Sequence, residues 1–249
     1  DSSVTGVQTC ALPIYIMVNK QIIALGGGGF SMEETHLLDD YILRTCKKDK
    51  PSICFIPTAS GDAESYVAKF YRRFGSTNCE ATDLQLFQRQ VSDLEDFACS
   101  QDIIYVGGGN TASMLAVWRA HGFDKALEKA LSAGTILTGL SAGSICWFEQ
   151  GVTDSFGTEL KPMDCLGFLA GSNCPHYDGE LKRRPAYHNM VKSGMLGGYA
   201  ADDGVGLHFI NGKLKQIISS QPAARGYKVG LQGGTVSEIS LETQFLGHN

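Results

Sequence analysis

The sequence predicts an α/β protein with a mostly parallel β-sheet and helices on both of its faces. Two observations lead to this fold class. Short apolar runs alternate with longer amphipathic stretches through the first 140 residues, and strand–helix alternation of this kind is typical of a parallel sheet. Glycine clusters follow three of the apolar runs, at residues 26–29, 107–109 and 139–143, where the chain turns away from a strand.

The elements follow one another in regular order. Strands are expected at residues 20–27, 51–57, 83–87, 102–106 and 135–140. Helices are expected at residues 32–46, 62–75, 111–122 and 123–133, with a further helix beginning after the glycines at 139–143.

The second part of the chain is richer in turns and short strands. One helix is expected at 182–195, and a hairpin at 204–219 turns at Asn211–Gly212, a typical hairpin dipeptide. A second hairpin is expected at 227–240. These strands predict antiparallel additions to a single domain that covers residues 17–249.

Composition excludes several classes of protein. The 249 residues are 43% hydrophobic, include 30 glycines and carry a net charge of −5. These values argue against disorder, and the acidic balance without a basic stripe argues against nucleic acid as the main partner. The eight cysteines lack the spacing of a zinc site and most lie in apolar runs, so we expect reduced structural thiols in a cytoplasmic protein. The longest apolar runs are far shorter than the roughly 20 residues that span a membrane, so no membrane segment is expected. No metal or other cofactor is expected either.

Residues 1–16 stand apart from this pattern. They carry no basic region and no clear cleavage site, so they make a poor signal peptide. The segment resembles translated adapter sequence, and we interpret it as a non-native leader that precedes a start at Met17.

The strongest chemical signal is the segment TGLSAGS at residues 138–144. Gly139-x-Ser141-x-Gly143 follows an apolar strand, which is the nucleophile-elbow pattern. Small residues two before and two after the serine suit a cramped turn that projects its hydroxyl from the sheet edge. The Ala142 N–H would then face a developing oxyanion.

A nucleophilic serine needs a base and an acid to orient that base. His176 is the best-placed histidine, because it lies in the turn-rich segment SNCPHYDGE after an apolar run. Asp154 in GVTDSFG is a loop carboxylate between Ser141 and His176. Asp202 and Asp203 in YAADDG are its rivals, and each of these aspartates also suits a simple turn.

The glycines of VGGGNT at 106–111 predict a second donor for the oxyanion. Their backbone N–H groups are exposed at a strand end, and the Gly109 N–H is the best candidate to join the Ala142 N–H in an oxyanion hole. Asn110 or Thr111 is expected to cap the next helix. The other glycine run, LGGGGFSM at 25–32, has Ser31 and Met32 where a dinucleotide fingerprint needs glycine, so a nucleotide site is disfavoured.

The ordered set GGGNT, GLSAGS, GVTDS and CPHYDGE, together with CFIPTAS and YAADDG, resembles the peptidase E family of serine peptidases. That family includes aspartyl dipeptidases and cyanophycinases, and the resemblance covers nearly the whole chain from Met17. It implies a three-layer α/β sandwich of the class I glutamine-amidotransferase type. It also implies a triad of Ser141, His176 and an acid, which is Asp154 by position after the serine. The 13-residue spacing from Ser141 is short for that role, and Asp203 is the second choice.

The resemblance further implies hydrolysis of short peptides, with an N-terminal aspartate preferred. Arg183 and Arg184 are candidates for binding the substrate carboxylate, because a guanidinium can donate two hydrogen bonds to it, and Glu180 is a candidate for the substrate ammonium. A solvated basic helix start explains the two arginines equally well. A cyanophycinase, another hydrolase such as an esterase, and a non-catalytic binding protein remain as alternatives, and a monomer and a homodimer are both open.

Overall fold

The structure, a computed structural model, describes residues 18–247. The proposed leader at 1–16 and the start at Met17 lie outside these residues. The described strands are β1 (Gln21–Leu25), β2 (Ser52–Ile56), β3 (Glu80–Asp83), β4 (Ile103–Val106), β5 (Ile136–Leu140), β6 (Phe148–Thr153), β7 (Lys161–Asp164), β8 (Leu169–Cys174), β9 (Gly198–Ala201), β10 (Val205–Ile210), β11 (Lys213–Ser219), β12 (Gly226–Gln232), β13 (Thr235–Leu241) and β14 (Gln244–Phe245). The described helices are α1 (Leu37–Thr45), α2 (Glu64–Phe74), α3 (Leu94–Ser100), α4 (Thr111–His121), α5 (Phe123–Ala133), α6 (Ala142–Ile145) and α7 (Arg183–Lys192).

The larger of the two sheets has eight strands in the order β14-β11-β10-β1-β5-β4-β2-β3. The five strands from β1 to β3 in this order pair in parallel, and β10 joins β1 in antiparallel orientation. This arrangement confirms the predicted α/β class with a mostly parallel sheet.

Alternating side chains of the central strands supply two separate cores. Ile22 and Ala24 of β1 face a cluster that includes the buried residues of α3, α4 and α5. Ile23 and Leu25 face the opposite cluster, which includes buried residues of α1 and α2. Because side chains point alternately to the two faces of a strand, helices can cover both faces of the sheet.

A second sheet of six strands, in the order β13-β12-β9-β8-β6-β7, was not expected from the sequence. It contains the predicted second hairpin as β12 and β13, and α7 packs against it through Tyr187 and Val191. The first hairpin joins the larger sheet as β10 and β11, with Asn211 and Gly212 in left-handed conformations at its turn. Both hairpins are therefore confirmed.

Two local predictions are wrong. The strand expected at 83–87 lies earlier, at Glu80–Asp83, because Leu84 and Leu86 are buried as loop residues against the core rather than as strand residues. The helix after the glycines at 139–143 is one turn only, since Phe148 already begins β6, where it packs against Phe209 of the larger sheet. No helix among residues 18–247 is long and apolar enough to cross a membrane.

Parallel pairing sets the position of the glycine clusters. Strand β5 lies between β1 and β4, so the loops that follow these three strands emerge side by side at one edge of the sheet. In open α/β sheets this carboxyl edge is the usual place for a ligand site. All three glycine clusters lie there.

Candidate active site

Ser141 joins β5 to α6 in a strained backbone conformation. Its φ of 54° and ψ of −112° lie in a region that non-glycine residues rarely occupy. The glycines at 139 and 143 make the turn possible, because a methyl group on Gly139 would lie 2.5 Å from the Gly143 carbonyl oxygen and one on Gly143 would overlap the Val106 carbonyl. Strain of this kind persists where the surrounding structure holds it in place, and it is concentrated at functional sites.

Consecutive residues at the end of β1 bring Ser141 and His176 together. The Ser141 N–H donates to the Leu25 carbonyl at 3.4 Å, and the His176 N–H donates to the Gly26 carbonyl at 3.1 Å. The two residues are 35 positions apart in the chain, and no local pattern joins them. Their common attachment to β1 places both at the same edge of the sheet.

The carboxylate that contacts His176 is Asp203. His176 Nδ1 donates to Asp203 Oδ1 at 2.6 Å, and the two side chains are 13% and 26% exposed. A hydrogen bond at Nδ1 leaves the opposite nitrogen, Nε2, as the free acceptor of the neutral ring. Among the sequence candidates, Asp203 therefore has the geometry of the orienting acid.

Residues next to His176 in the chain hold Asp203. The Asp203 N–H donates to Asp178 Oδ1 at 2.8 Å, and a methyl group on Gly179 would overlap Asp203 Oδ2. The segment HYDG thus supplies the histidine, an acceptor for the Asp203 backbone and space for its carboxylate. Sequence reasoning singled out only His176 in this segment.

The other two aspartates have different surroundings. Asp154, the first choice from the sequence, is exposed and forms no hydrogen bond with His176 in the structure of residues 18–247. Asp202 is buried, and its carboxylate accepts from the Arg225 N–H and the Tyr227 hydroxyl. Asp154 lies on the loop that leaves β6 and does not reach the histidine, whereas Asp203 follows β9 directly beside it.

The glycine-rich loop at 26–29 lies beside the His176–Asp203 pair. A methyl group on Gly27 would overlap Asp203 Oδ1 and would lie 2.9 Å from the His176 ring. The Gly27 carbonyl accepts from the Gly204 N–H at 3.2 Å, which fixes the chain beyond Asp203. Close packing against a carboxylate and an imidazole therefore explains Gly27, whereas Gly28 and Gly29 have a positive φ and lie against Glu33 and Tyr105.

Glu33 lies beside the same loop. It accepts from the Gly29 N–H at 2.9 Å and from the Ser220 hydroxyl. Burial raises the pKa of the Glu33 carboxyl, and the negative charge of Asp203 raises it further. The sequence offered no signal for this second acid near Asp203.

The glycines at 107–109 form the opposite wall. Gly109 has a φ of +140° and packs so closely on the chain at 59–60 that a methyl group would lie 2.9 Å from the Ser60 nitrogen. A methyl group on Gly108 would lie 3.3 Å from Ser141 Cβ. The N–H groups of Gly109 and Ala142 donate no hydrogen bond within residues 18–247. Both are therefore open to an acceptor beside Ser141.

Two residues that sequence reasoning missed hold this wall. The Gly108 N–H donates to the Tyr66 hydroxyl at 3.2 Å. Ser155 accepts from the Ala112 N–H through its hydroxyl at 3.2 Å and from the Asn110 side chain through its carbonyl at 3.1 Å. Asn110 caps α4, as expected, by accepting from the Ser113 N–H. In the segment GVTDS the serine, not the aspartate, makes the structural contact.

The three predicted substrate-binding residues have partners inside the protein. Arg183 is 3% exposed and donates to Glu180 at 2.8 Å and to the Val152 carbonyl. Arg184 pairs with Glu238 at 2.8 Å and lies over two tyrosine rings. These contacts join α7 to the second sheet, and in this structure both guanidinium groups and the Glu180 carboxylate are engaged in ion pairs within the protein.

Two other histidines, His208 and His188, have partners within the protein. The pKa of His208 is lowered to about 4 because burial disfavours its charged form, and its Nδ1 contacts the Tyr41 hydroxyl at 2.6 Å. His188 contacts Tyr177 and Glu238. Within residues 18–247, no three His, Cys, Asp or Glu side chains are grouped so that they could hold a metal ion.

Comparisons with known proteins identify the family of this chain. A model of the family described as Peptidase family S51 matches residues 22–217. The chain belongs to this family. It is a serine-type peptidase, as the ordered motifs of the sequence implied.

Individual S51 relatives give the same result. An uncharacterized peptidase, YgaJ, of Bacillus subtilis is 51% identical over 230 residues, which cover 92% of this chain and all of the relative. An uncharacterized peptidase of Listeria monocytogenes, Lmo0363, is 27% identical over 51% of this chain and 66% of its own length.

Solved structures share the fold at low sequence identity. A peptidase from an acI-B1 actinobacterium superposes with a TM-score of 0.70 at 14% identity, over 90% of this chain and 98% of that chain. A putative peptidase E protein from Listeria monocytogenes superposes with a TM-score of 0.58 at 17% identity, over 90% of this chain and all of that chain.

Proposed function

We propose that this S51 peptidase hydrolyses short peptides, with dipeptides that begin with aspartate as its preferred substrates, through an acyl-enzyme formed on Ser141. The catalytic triad is Ser141, His176 and Asp203. The observation that carries this proposal is the 2.6 Å contact between His176 Nδ1 and Asp203 Oδ1 at the sheet edge that also holds Ser141. Asp203 takes the role that the family resemblance first suggested for Asp154.

Each residue has a defined role in the reaction. Ser141 lies at the nucleophile elbow, and its Oγ attacks the peptide carbonyl while His176 Nε2 accepts the hydroxyl proton. The same proton then passes to the leaving amine. Asp203 holds the imidazole tautomer and stabilises the imidazolium. Water hydrolyses the acyl-enzyme by the reverse sequence of proton transfers.

The negative charge of the tetrahedral intermediate needs fixed donors. The Gly109 and Ala142 N–H groups are unoccupied within the described chain; Ala142 follows Ser141 directly, and Gly108, next to Gly109, lies against the Ser141 side chain. Each donor of this kind lowers the barrier by roughly 3 kcal/mol in other serine hydrolases. They form the proposed oxyanion hole.

The protein also fits a reducing compartment. Seven cysteines of the described chain are free thiols, and Cys54, Cys146 and Cys174 are buried. Disulfides are rare in the cytosol, where free thiols are maintained. We place the enzyme in the cytoplasm, acting on small peptides.

The test of function is a substrate panel measured with wild type and Ser141→Ala. We expect hydrolysis of Asp-Xaa dipeptides, loss of at least about 10⁴-fold in kcat for Ser141→Ala, and little turnover of simple esters or cyanophycin. Preferred hydrolysis of cyanophycin or esters would support those alternatives instead. A wild-type protein that binds these compounds without any turnover would support the binding-protein alternative.

The test of the third triad residue compares two matched variants. Asp203→Asn should lower kcat by roughly 10³- to 10⁴-fold, because the imidazole loses the acceptor that fixes its tautomer. Asp154→Asn is the control and should retain activity within about threefold of wild type, since an exposed substitution away from the chemistry has little effect. The reverse result would restore Asp154 to the triad.

A further inference from the structure

Beside the oxyanion loop lies a cavity that the catalytic residues do not use. It has a volume of about 380 Å³ and opens to solvent. Three serines, an alanine, a tyrosine and a lysine line it: Ser31, Ser60, Ala63, Ser65, Tyr66 and Lys69. A space of this size with hydroxyl groups and one cation suits a small polar ligand.

The cavity shares its wall with the catalytic site. Tyr66 accepts from the Gly108 N–H at 3.2 Å, and Gly108 lies against the Ser141 side chain. Ser60 belongs to the segment on which Gly109 packs. A substrate held at Ser141 with its carbonyl oxygen toward Gly109 therefore has this cavity next to its scissile bond.

Lys69 is an unpaired cation at this position. It forms no ion pair with any residue from 18 to 247. Arg73, one turn further along α2, is buried and paired with Asp39 and Asp40. Arg72 of the same helix likewise forms no ion pair with residues 18–247, but of these three cations only Lys69 lines this cavity.

The start of α2 borders the same cavity, and its first turn also carries the carboxylate of Glu64. Ala63 and Ser65, which line it, lie at the N-terminus of this 11-residue helix, and no side chain caps that end. The partial positive charge of a helix N-terminus favours an anion. Long helical side chains lean toward the N-terminus, so Lys69 leans toward Ser65 and Tyr66, three to four residues before it.

We propose that this cavity binds a carboxylate of the peptide substrate and that Lys69 is the residue that determines this specificity. The inference rests on the proposed peptidase function and deepens it, because it assigns the acidic preference to α2 after Arg183 and Arg184 proved to be paired. The carboxylate is either the side chain of an N-terminal aspartate or the C-terminus of the dipeptide. The chemistry of recognition is the same for both.

The experiment uses three substrates that differ in one carboxylate each: Asp-Leu, Asn-Leu and Asp-Leu amide. Lys69→Gln should lower kcat/KM for Asp-Leu by about 10- to 100-fold, mainly through KM, because a charge-assisted hydrogen bond to bound substrate is lost. Lys69→Arg should recover part of the loss. Lys192→Gln, which removes an exposed lysine from α7, is the matched control and should stay within twofold of wild type.

The substrate panel identifies the bound group. If Lys69 binds the aspartate side chain, Lys69→Gln lowers kcat/KM for Asp-Leu and its amide but leaves Asn-Leu unchanged. If it binds the C-terminal carboxylate, the substitution affects Asp-Leu and Asn-Leu but not the amide.

Two results would overturn the inference, and they differ from failure of the proposed function. If Lys69→Gln changes kcat/KM equally for all three substrates, or for none of them, Lys69 does not bind a substrate carboxylate. Ser141-dependent hydrolysis of Asp-Leu would still support the proposed function. If wild type hydrolyses none of the three substrates, the proposed function fails, and the inference fails with it.

Discussion

Two glycine-rich loops lie on either side of the proposed nucleophile, and glycine has a different role in each. The loop at 26–29 follows β1, and its Gly27 lies against the side chains of His176 and Asp203. The loop at 107–109 follows β4 and presents an N–H group that has no partner within the described chain. The first loop makes room for side chains, and the second exposes backbone.

The difference shows why glycine content alone says little about function. At Gly27 the requirement is the absence of a side chain, since the backbone is not in a left-handed region. At Gly109 both the φ of +140° and the closeness of the chain at 59–60 exclude a side chain. Glycine relaxes steric limits of both kinds.

The largest expected effect is at Gly27. Gly27→Ala should lower kcat/KM by roughly 10³-fold or more, because the added methyl group displaces Asp203 Oδ1 and disturbs the His176 ring, which approaches loss of the orienting acid. Steady-state kinetics on Asp-Leu measures the effect.

A matched substitution separates this steric effect from the cost of adding any methyl group. Gly230→Ala on β12 places its methyl group in open space, at a residue that is also outside the left-handed region. It should keep wild-type activity. A Gly27→Ala enzyme that is as active as Gly230→Ala would contradict the close packing of loop 26–29 on the His–Asp pair.

A smaller loss is expected at Gly109. Gly109→Ala should reduce kcat by roughly 10²- to 10³-fold with a modest change in KM, because the displaced N–H no longer donates to the transition state. Gly194→Ala, at a φ of +108° with no neighbouring atom within 4 Å, carries backbone strain without a clash near the site. If both variants lose the same activity, backbone strain explains the loss and Gly109 has no donor role.

The smallest expected effect is at Ser155, which supports the second loop from outside. Ser155→Ala removes the hydroxyl that accepts from the Ala112 N–H, so we expect a destabilisation of about 1 kcal/mol and less than a tenfold loss of kcat. Thermal unfolding and kinetics on one preparation measure both. Wild-type stability would show that this contact does not hold the loop of Gly109.

Local sequence patterns predicted four of the five parallel strands of the larger sheet, most helices and both hairpins, because hydrophobic periodicity and turn residues are local signals. They failed at residues 83–87, where Leu84 and Leu86 are apolar loop residues that the core buries. They also missed the second sheet. Short strands such as β6 and β8, with burial that does not alternate, gain their identity from neighbours distant in the chain.

The residues of the candidate site also fall into two groups: those that local sequence predicts and those that depend on the tertiary structure. Gly139 and Gly143 predict the turn at Ser141, because the steric limits of that turn act within five consecutive residues. The choice between Asp154 and Asp203 is not local, since it depends on which loop the fold carries to His176 Nδ1. Lys69 carried no signal at all, because being unpaired is a property of the space around a side chain.

The sequence by itself determined the α/β class, the turn at Ser141 and the family of this peptidase, since each depends on residues close together or on ordered motifs. Only the tertiary structure decided that Asp203 contacts His176, that Gly27 leaves space for this pair, and that Lys69 lines a cavity without an ion-pair partner within residues 18–247. These depend on β1, β4, β5 and β9 ending near one another. Strand pairing brings β1, β5 and β4 together, and packing of the second sheet on the larger one, as between Tyr199 and Phe209, brings β9 beside them. No local pattern encodes either contact.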